Sequence, residues 1–211
     1  MSQPAGQRRV PRQSRSKVTV ARIQQATLEV LEQEGLDGLN TNAIAERAGV
    51  NIATLYSYFR DKYDILYDLF EISENQRAEA VLAQIDALRN SEDWRAWMRS
   101  IIQKMADLRA EQPGGVVLRS ALAFRPELLD LDDRSTVRSA QAVAEALTER
   151  TPGLDEERAR CMAKVTVTTI THLLDLAFSQ APPDRAIVEE LKDLIVRYLE
   201  PHIGAQKENA N

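Results

Sequence analysis

One cysteine, Cys161, is all the 211-residue chain contains, so no disulfide can form within it and a reducing compartment suits it. Histidines number only two, His172 and His202, too few for a Cys/His zinc centre. Glycine and proline, eight of each, fall in clusters between periodic stretches, and alternating β-branched runs are missing, which removes strands from the expected fold. No apolar run reaches the roughly 20 residues of a membrane span. The basic stretch from Arg8 to Ser16 leads into amphipathic sequence, where a signal peptide would have an apolar run. Acidic residues are absent before Glu29. What remains is an all-α chain, 44 % hydrophobic and 28 % charged, expected in the cytoplasm with no cofactor, no metal and no membrane partner.

The missing acid has a counterpart in uneven charge. Residues 1–62 carry nine Lys/Arg against six Asp/Glu, +3, whereas the rest carries eighteen against twenty-six, −8. An acidic protein with a basic N-terminal third points to a local site for a polyanion, since the whole molecule would repel DNA. Arg8, Arg9, Arg12, Arg15 and Lys17 lie in a Pro- and Gly-containing segment, 1–17, expected to be a flexible arm able to follow phosphates.

The stretch from Thr41 to Lys62 organises the remainder. Thr41 is placed to cap a short helix whose apolar edge is Ile44, Ala45 and Ala48. Gly49 follows where a left-handed residue would end it. Asn51 then caps a second helix, whose Leu55 and Phe59, one turn apart, point inward. Two short helices about a Gly-containing turn make a helix-turn-helix. Ile52, Ala53, Thr54, Tyr56, Ser57 and Tyr58 are left facing outward, a surface too polar for a core and suited to a duplex groove.

Gly35-Leu36-Asp37-Gly38-Leu39, Ala48-Gly49-Val50, Thr54-Leu55-Tyr56 and Tyr58-Phe59-x-x-Lys62 together resemble the DNA-binding domain of the TetR family of bacterial transcriptional regulators. The resemblance covers roughly residues 18 to 68. It implies that the second helix of the motif enters the major groove, with Thr41, Tyr56, Tyr58 and Lys62 on phosphates and Asn42, Ile52, Ala53 and Thr54 at base edges. Asn42 and Ile52 depart from the longer polar or basic side chains often found there, which favours apolar or shape readout.

Beyond the head the expected organisation is a domain at 18–64, a larger helical domain at 65–204 and a polar tail at 205–211, about nine helices in all. The first helix is expected over Val18–Glu34 and packs through Ile23, Ala26, Thr27, Val30 and Leu31. Asp61 caps the fourth, which runs through Ile65, Leu66, Leu69, Phe70 and Ile72, towards Arg89. On the last two helices Ile170, Leu174, Ala177 and Phe178, then Leu191, Ile195 and Tyr198, spread over arcs too wide for one buried side. A second copy would cover the other side, giving a homodimer with paired heads.

Trp94, Trp97, Met98, Met105, Leu118, Leu122, Phe124, Met162 and Thr169 are candidates to line a ligand cavity, and plain core is the simpler reading of each. His172, one turn from Asp175, is either a ligand group there or a satisfied core histidine. Arg119 and Arg125 suit a carboxylate, although solvated arginines are commoner.

Three functions compete. The resemblance favours a ligand-responsive repressor that binds a palindromic double-stranded operator as a dimer and is released by a small lipophilic inducer. The alternative is a regulator of the same fold controlled by a protein or DNA partner, whose mark would be a closed cavity smaller than a ligand. An enzyme is disfavoured, for the chain offers no nucleophile–base set, paired carboxylates or phosphate-cradling glycine loop.

Overall fold

The structure, a computed structural model, describes residues 12–111, 115–120 and 126–203. Arg8 and Arg9 of the basic arm, the candidates Leu122, Phe124 and Arg125, and the tail 205–211 lie outside them. All described elements are helices: α1 (Arg12–Gly38), α2 (Thr41–Ala48), α3 (Ile52–Tyr56), α4 (Lys62–Leu82), α5 (Ile85–Asn90), α6 (Trp94–Ala110), α7 (Gly115–Ser120), α8 (Pro126–Arg150), α9 (Glu156–Ala177) and α10 (Arg185–Ile203). Only Ala83 and Gln84 separate α5 from α4, so the ten segments amount to nine helices if that pair is read as one broken helix. The chain divides into two compact units, Met1–Leu66 and Tyr67–Asn211. The division falls inside α4, two residues beyond the expected boundary.

In the first unit α1 begins at Arg12, earlier than the expected Val18, because no helix breaker lies between Pro11 and Gly35. Its regular course ends at Gly35, whose φ of 68° needs a residue without Cβ. Ile23, Ala26, Val30 and Leu31 form its buried stripe, α1 packs on α2, and Leu39, Ile44, Ala45, Leu55 and Phe59 are buried in the same unit. Thr27, also fully buried, satisfies its hydroxyl on the Ile23 carbonyl at 2.8 Å.

In the second unit α9 packs on α8, α10 and α6, and α10 also packs on α6. The starts are side-chain capped as their sequences suggest. Asp93 accepts the Ala96 N–H at 3.0 Å and Asp155 the Arg158 N–H at 2.9 Å. One continuous core runs from Leu88 and Trp94 through Ile102 and Leu147 to Met162, Leu174, Leu191 and Leu199. Arg95 with Glu200, Arg99 with Asp193, and buried Lys192 with Gln103 at 2.7 Å align α6 with α10.

Candidate functional site

The reading head is built from capped short helices. Asn40, not Thr41, caps α2: its Oδ1 accepts the Ala43 N–H at 2.9 Å, and Thr41 is the first helical residue. Either side chain type can cap, and the extended backbone at Asn40 decides between them. Gly49 closes α2 in the left-handed region, with φ 61° and ψ 38°. The Arg22 guanidinium, reaching from α1, donates to the carbonyls of Ala48 and Gly49, placing positive charge at the carbonyl end of α2. Asn51 Oδ1 accepts the Ala53 N–H at 2.8 Å and starts α3, while Leu55 is wholly buried and Phe59 nearly so.

This anchoring leaves the groove-facing set displayed. Asn42, Ala53, Tyr56, Ser57 and Tyr58 are exposed, and Thr41, Ile52 and Thr54 half-buried. The Tyr56 hydroxyl lies 3.0 Å from Thr41 Oγ1, so two of the expected phosphate contacts share one rim and tie α2 to α3. Ser57 spends its hydroxyl proton on the Thr54 carbonyl at 2.6 Å, which leaves it an acceptor towards any further partner. Lys62 Nζ donates to the Leu39 carbonyl at 2.8 Å and sits 5.3 Å from the Tyr63 ring centre, so this half-buried lysine also pins the loop before α2. Its ammonium keeps two further protons. Sequence patterning gave no sign of the Arg22 and Lys62 tethers, since both are side-chain-to-carbonyl bonds across more than twenty residues.

The second unit encloses a cavity of about 50 Å³ lined from α4, α6, α8 and α9. Of the residues expected there, Trp97, Met98 and Met105 line it. Trp94, Leu118 and Met162 are instead packed solidly in the interior, and Thr169 and His172 do not reach it. His172 is exposed, on the outward side of α9, and Asp175 is occupied by arginines, so the proposed His172–Asp175 pair is not formed as a ligand site. The wall also includes apolar Ile101, Ile102, Val143 and Ile170, the arginines Arg77 and Arg109, and the hydroxyls of Thr136, Ser139, Thr166 and Thr171. Arginines on helices score as surface residues by pattern, so periodicity passes over them.

Beside the cavity lies a buried ion cluster. Arg119 donates to Glu74 Oε1 at 2.9 Å, Asp132 Oδ1 at 3.2 Å and Asp175 Oδ2 at 2.6 Å. Arg77 pairs with Glu74 and with Asp132 Oδ1 at 3.1 Å, and Arg109 Nε with Asp175 Oδ1 at 3.1 Å. Arg119 is therefore not the solvated residue its type suggested. Burial pushes the Glu74 carboxyl up, against the pull of Arg77 and Arg119. Burial would also raise Asp132, but Arg77 and Arg119 outweigh it and hold it low. Burial brings Arg109 down to about 10, partly offset by Asp175, so it stays charged at neutral pH. Among the described residues no group of three or more His, Cys, Asp or Glu is placed to hold a metal, and no helix is long and apolar enough to cross a membrane.

The residues expected at an interface between copies divide by burial. Leu174, Ala177, Leu191 and Ile195 are sealed in the chain's own core, and Ile170, Phe178 and Tyr198 pack half-buried against it. The first four therefore cannot present side chains to another molecule, because α6, α8 and the α9–α10 contact already cover them. The outward sector of α9 carries Val165, His172 and Leu176, and that of α10 carries Leu194, with Val165, Leu176 and Leu194 42 %, 54 % and 49 % exposed.

Comparison with known families agrees with this architecture. Residues 23–69 match the family described as "Bacterial regulatory proteins, tetR family", and residues 93–199, about half the chain, match "Tetracyclin repressor-like, C-terminal domain". The chain belongs to the TetR family. A TetR-family protein is a DNA-binding transcriptional regulator, not an enzyme, and its helix-turn-helix is the DNA-binding element. The tetracycline repressor protein class A from transposon 1721 of Escherichia coli is 38 % identical over 76 residues, 35 % of this chain and 32 % of that protein. A TetR-family regulator from Streptomyces coelicolor superposes with a TM-score of 0.61 at 26 % identity, covering 87 % of this chain and 99 % of that one. FadR from Bacillus subtilis, solved in complex with stearoyl-CoA, shares the fold with a TM-score of 0.60 at 24 % identity, over 83 % of this chain and 97 % of FadR. The chain spans 32 % and 58 % of the length of the first curated relatives it matches.

Proposed function

We propose that this TetR-family regulator is a cytoplasmic repressor that binds a palindromic operator as a homodimer and is released by a small, largely apolar inducer. In this reading Thr41, Tyr56, Tyr58 and Lys62 hold phosphates, with Ser57 beside them, while Asn42, Ile52, Ala53 and Thr54 meet base edges. The side chains at the base edges are short, so apolar contact with thymine methyl groups and groove shape carry most of the discrimination. A single head reads too little sequence, and two heads one helical turn apart, roughly 34 Å, read paired half-sites. The second copy docks on the exposed sector of α9 and α10 through Val165, Leu176 and Leu194, with His172 and Tyr198 beside them.

The observation that carries the inducer reading is the largely apolar cavity whose wall includes Arg77 and Val81 of α4, the helix that begins at Lys62 in the head. A ligand that favours one position of α4 changes the affinity for DNA by its differential binding to the two states. FadR, a neighbour in fold, carries an acyl thioester ligand, which supports a small molecule as the signal. One observation favours the second reading, a partner-controlled regulator with no inducer: about 50 Å³ is far below the roughly 300–1,000 Å³ of a ligand site. The inducer reading requires the walls to part, and Met98 and Met105 are the side chains best able to repack.

The test is selection of bound duplexes from a random pool, followed by a screen for compounds that release the winner. Recovery of an inverted repeat, and its release by an apolar compound with Trp97 fluorescence changed in parallel, are expected. An operator that no compound releases, but that a bound protein partner does, establishes the second reading.

A further inference from the structure

The polar part of the cavity wall has a chemical bias of its own. Arg77 makes its contacts with Asp132, Ser135 and Glu74 through Nη2, and its Nη1 is buried without a protein partner. Trp97 Nε1 and Thr166 Oγ1 are likewise buried and unpartnered, and Thr166 is only 2 % exposed. All three residues line this one cavity. Buried polar groups are rarely left without a bond, because each costs the desolvation it cannot recover. Two of these three groups can only donate, and the hydroxyl can donate as well.

Charge selects further. The three carboxylates of the neighbouring cluster, Glu74, Asp132 and Asp175, are turned onto the guanidiniums of Arg77, Arg109 and Arg119, and none of them lines the cavity. Arg77 and Arg109 do line it. A ligand cation would face guanidinium groups, whereas an anion finds donors. Met98, Ile101, Ile102, Met105, Val167 and Ile170 give the wall a broad apolar part for an apolar body, while Thr136, Ser139 and Thr171 add only neutral hydroxyls to it.

From this we infer that the inducer is an amphipathic carboxylate whose headgroup takes the free donors of Arg77, Trp97 and Thr166 and whose apolar body parts the α6 and α9 walls. The inference rests on reading the cavity as an inducer site. A charge-assisted bond to a carboxylate is about twice as strong as a neutral one, so the headgroup must show in selectivity.

A matched series separates head from body: octanoate, 1-octanol and octylammonium, titrated against the full chain and followed by calorimetry and by the emission of Trp97 in a Trp94→Phe background. The chain has only these two tryptophans, so the signal reports the cavity wall. Octanoate is expected to bind about tenfold tighter than 1-octanol, with octylammonium weakest. Thr166→Val, which keeps the shape and removes the hydroxyl, is expected to loosen octanoate several-fold, to leave 1-octanol unchanged, and to raise the melting temperature of the free protein. Arg77→Gln should abolish the preference for octanoate, and Thr166→Val keeps the test open if that variant does not fold. Equal affinities for octanoate and 1-octanol, or equal loosening of both by Thr166→Val, overturn the carboxylate inference and leave the inducer cavity standing. If none of the three disturbs Trp97, the carboxylate inference and the inducer reading fall together.

Discussion

Replacing Gly49 by alanine puts two separable strains on the turn between α2 and α3. The backbone there is left-handed, φ 61° and ψ 38°, a conformation that costs a residue with Cβ about 1–2 kcal/mol. A Cβ built on Gly49 would also lie 2.8 Å from an Arg22 guanidinium nitrogen, closer than real contacts allow. Because the neighbour is the far end of a flexible side chain, it yields, and the cost becomes the loss of its bonds to the Ala48 and Gly49 carbonyls, about 1 kcal/mol net. Gly49→Ala should therefore destabilise by about 2–3 kcal/mol. For a head of this size each kcal/mol moves the melting point by roughly 4–8 °C, so the loss is easily measured. Arg22→Ala removes the crowding partner, and in that background Gly49→Ala should cost only the backbone share, about 1–2 kcal/mol. Urea unfolding of wild type, both single variants and the double variant gives the cycle. Strictly additive costs would refute the crowding argument, and a neutral Gly49→Ala would refute the left-handed turn itself.

Three further outcomes are expected. Tyr56→Phe removes a neutral hydroxyl bonded to Thr41 and should weaken operator binding without changing its salt slope, whereas Lys62→Met should reduce the slope by about one; fluorescence anisotropy across a salt titration separates them. Leu176→Glu with Leu194→Glu should give folded monomers by sedimentation, and a persistent dimer would move the interface elsewhere. Asp132→Asn leaves Arg77 and Arg119 short of a buried partner and should cost about 3 kcal/mol at neutral pH. Because Asp132 titrates below its ordinary range, its contribution is present above that range and lost as pH falls through the folded value, so the gap to wild type should close on acidification. Glu74 has the opposite sign: its raised pKa makes its contribution decline as pH rises, and Glu74→Gln should remove that decline in a stability-versus-pH series.

Local signals carried the head. The stripe Ile23, Ala26, Val30 and Leu31 follows from spacing alone, and the stops at Gly35 and Gly49 follow from the absence of Cβ at positive φ. Adjacent candidates defeat the same logic, as with Asn40 and Thr41, where both side chains can cap and only the backbone geometry chooses. The cavity was legible only in part, because periodicity says that a residue faces inward and is silent on what it faces. Trp97 and Trp94 are three residues apart on one apolar stripe, yet one borders a void and the other is packed solid. Arg77 and Arg109 were the larger omission, and Arg119, although named as suited to a carboxylate, was expected to be solvated. Their burial depends on carboxylates contributed by α4, α8 and α9, and no window of sequence holds that cluster together.

The wide apolar arcs of α9 and α10 show where such reasoning stops. An arc broader than one stripe does mean that a helix is covered on more than one side. It does not say whose atoms cover it. On α9 the neighbours α8, α10 and α6 belong to the same chain and take up Leu174 and Ala177, and on α10 they take up Leu191 and Ile195. Burial within the subunit then acts as a filter, since any apolar side chain it leaves out still has unburied area to lose. Val165, Leu176 and Leu194 are what the filter passes, and burying a leucine from half exposure gains on the order of 1 kcal/mol. Six such residues across a two-fold axis amount to several kcal/mol, too little alone against the cost of association. If the proposed dimer forms on this face, the flanking half-buried Tyr198 and exposed His172 are the side chains that would add to it, and it should weaken measurably when either is truncated to alanine.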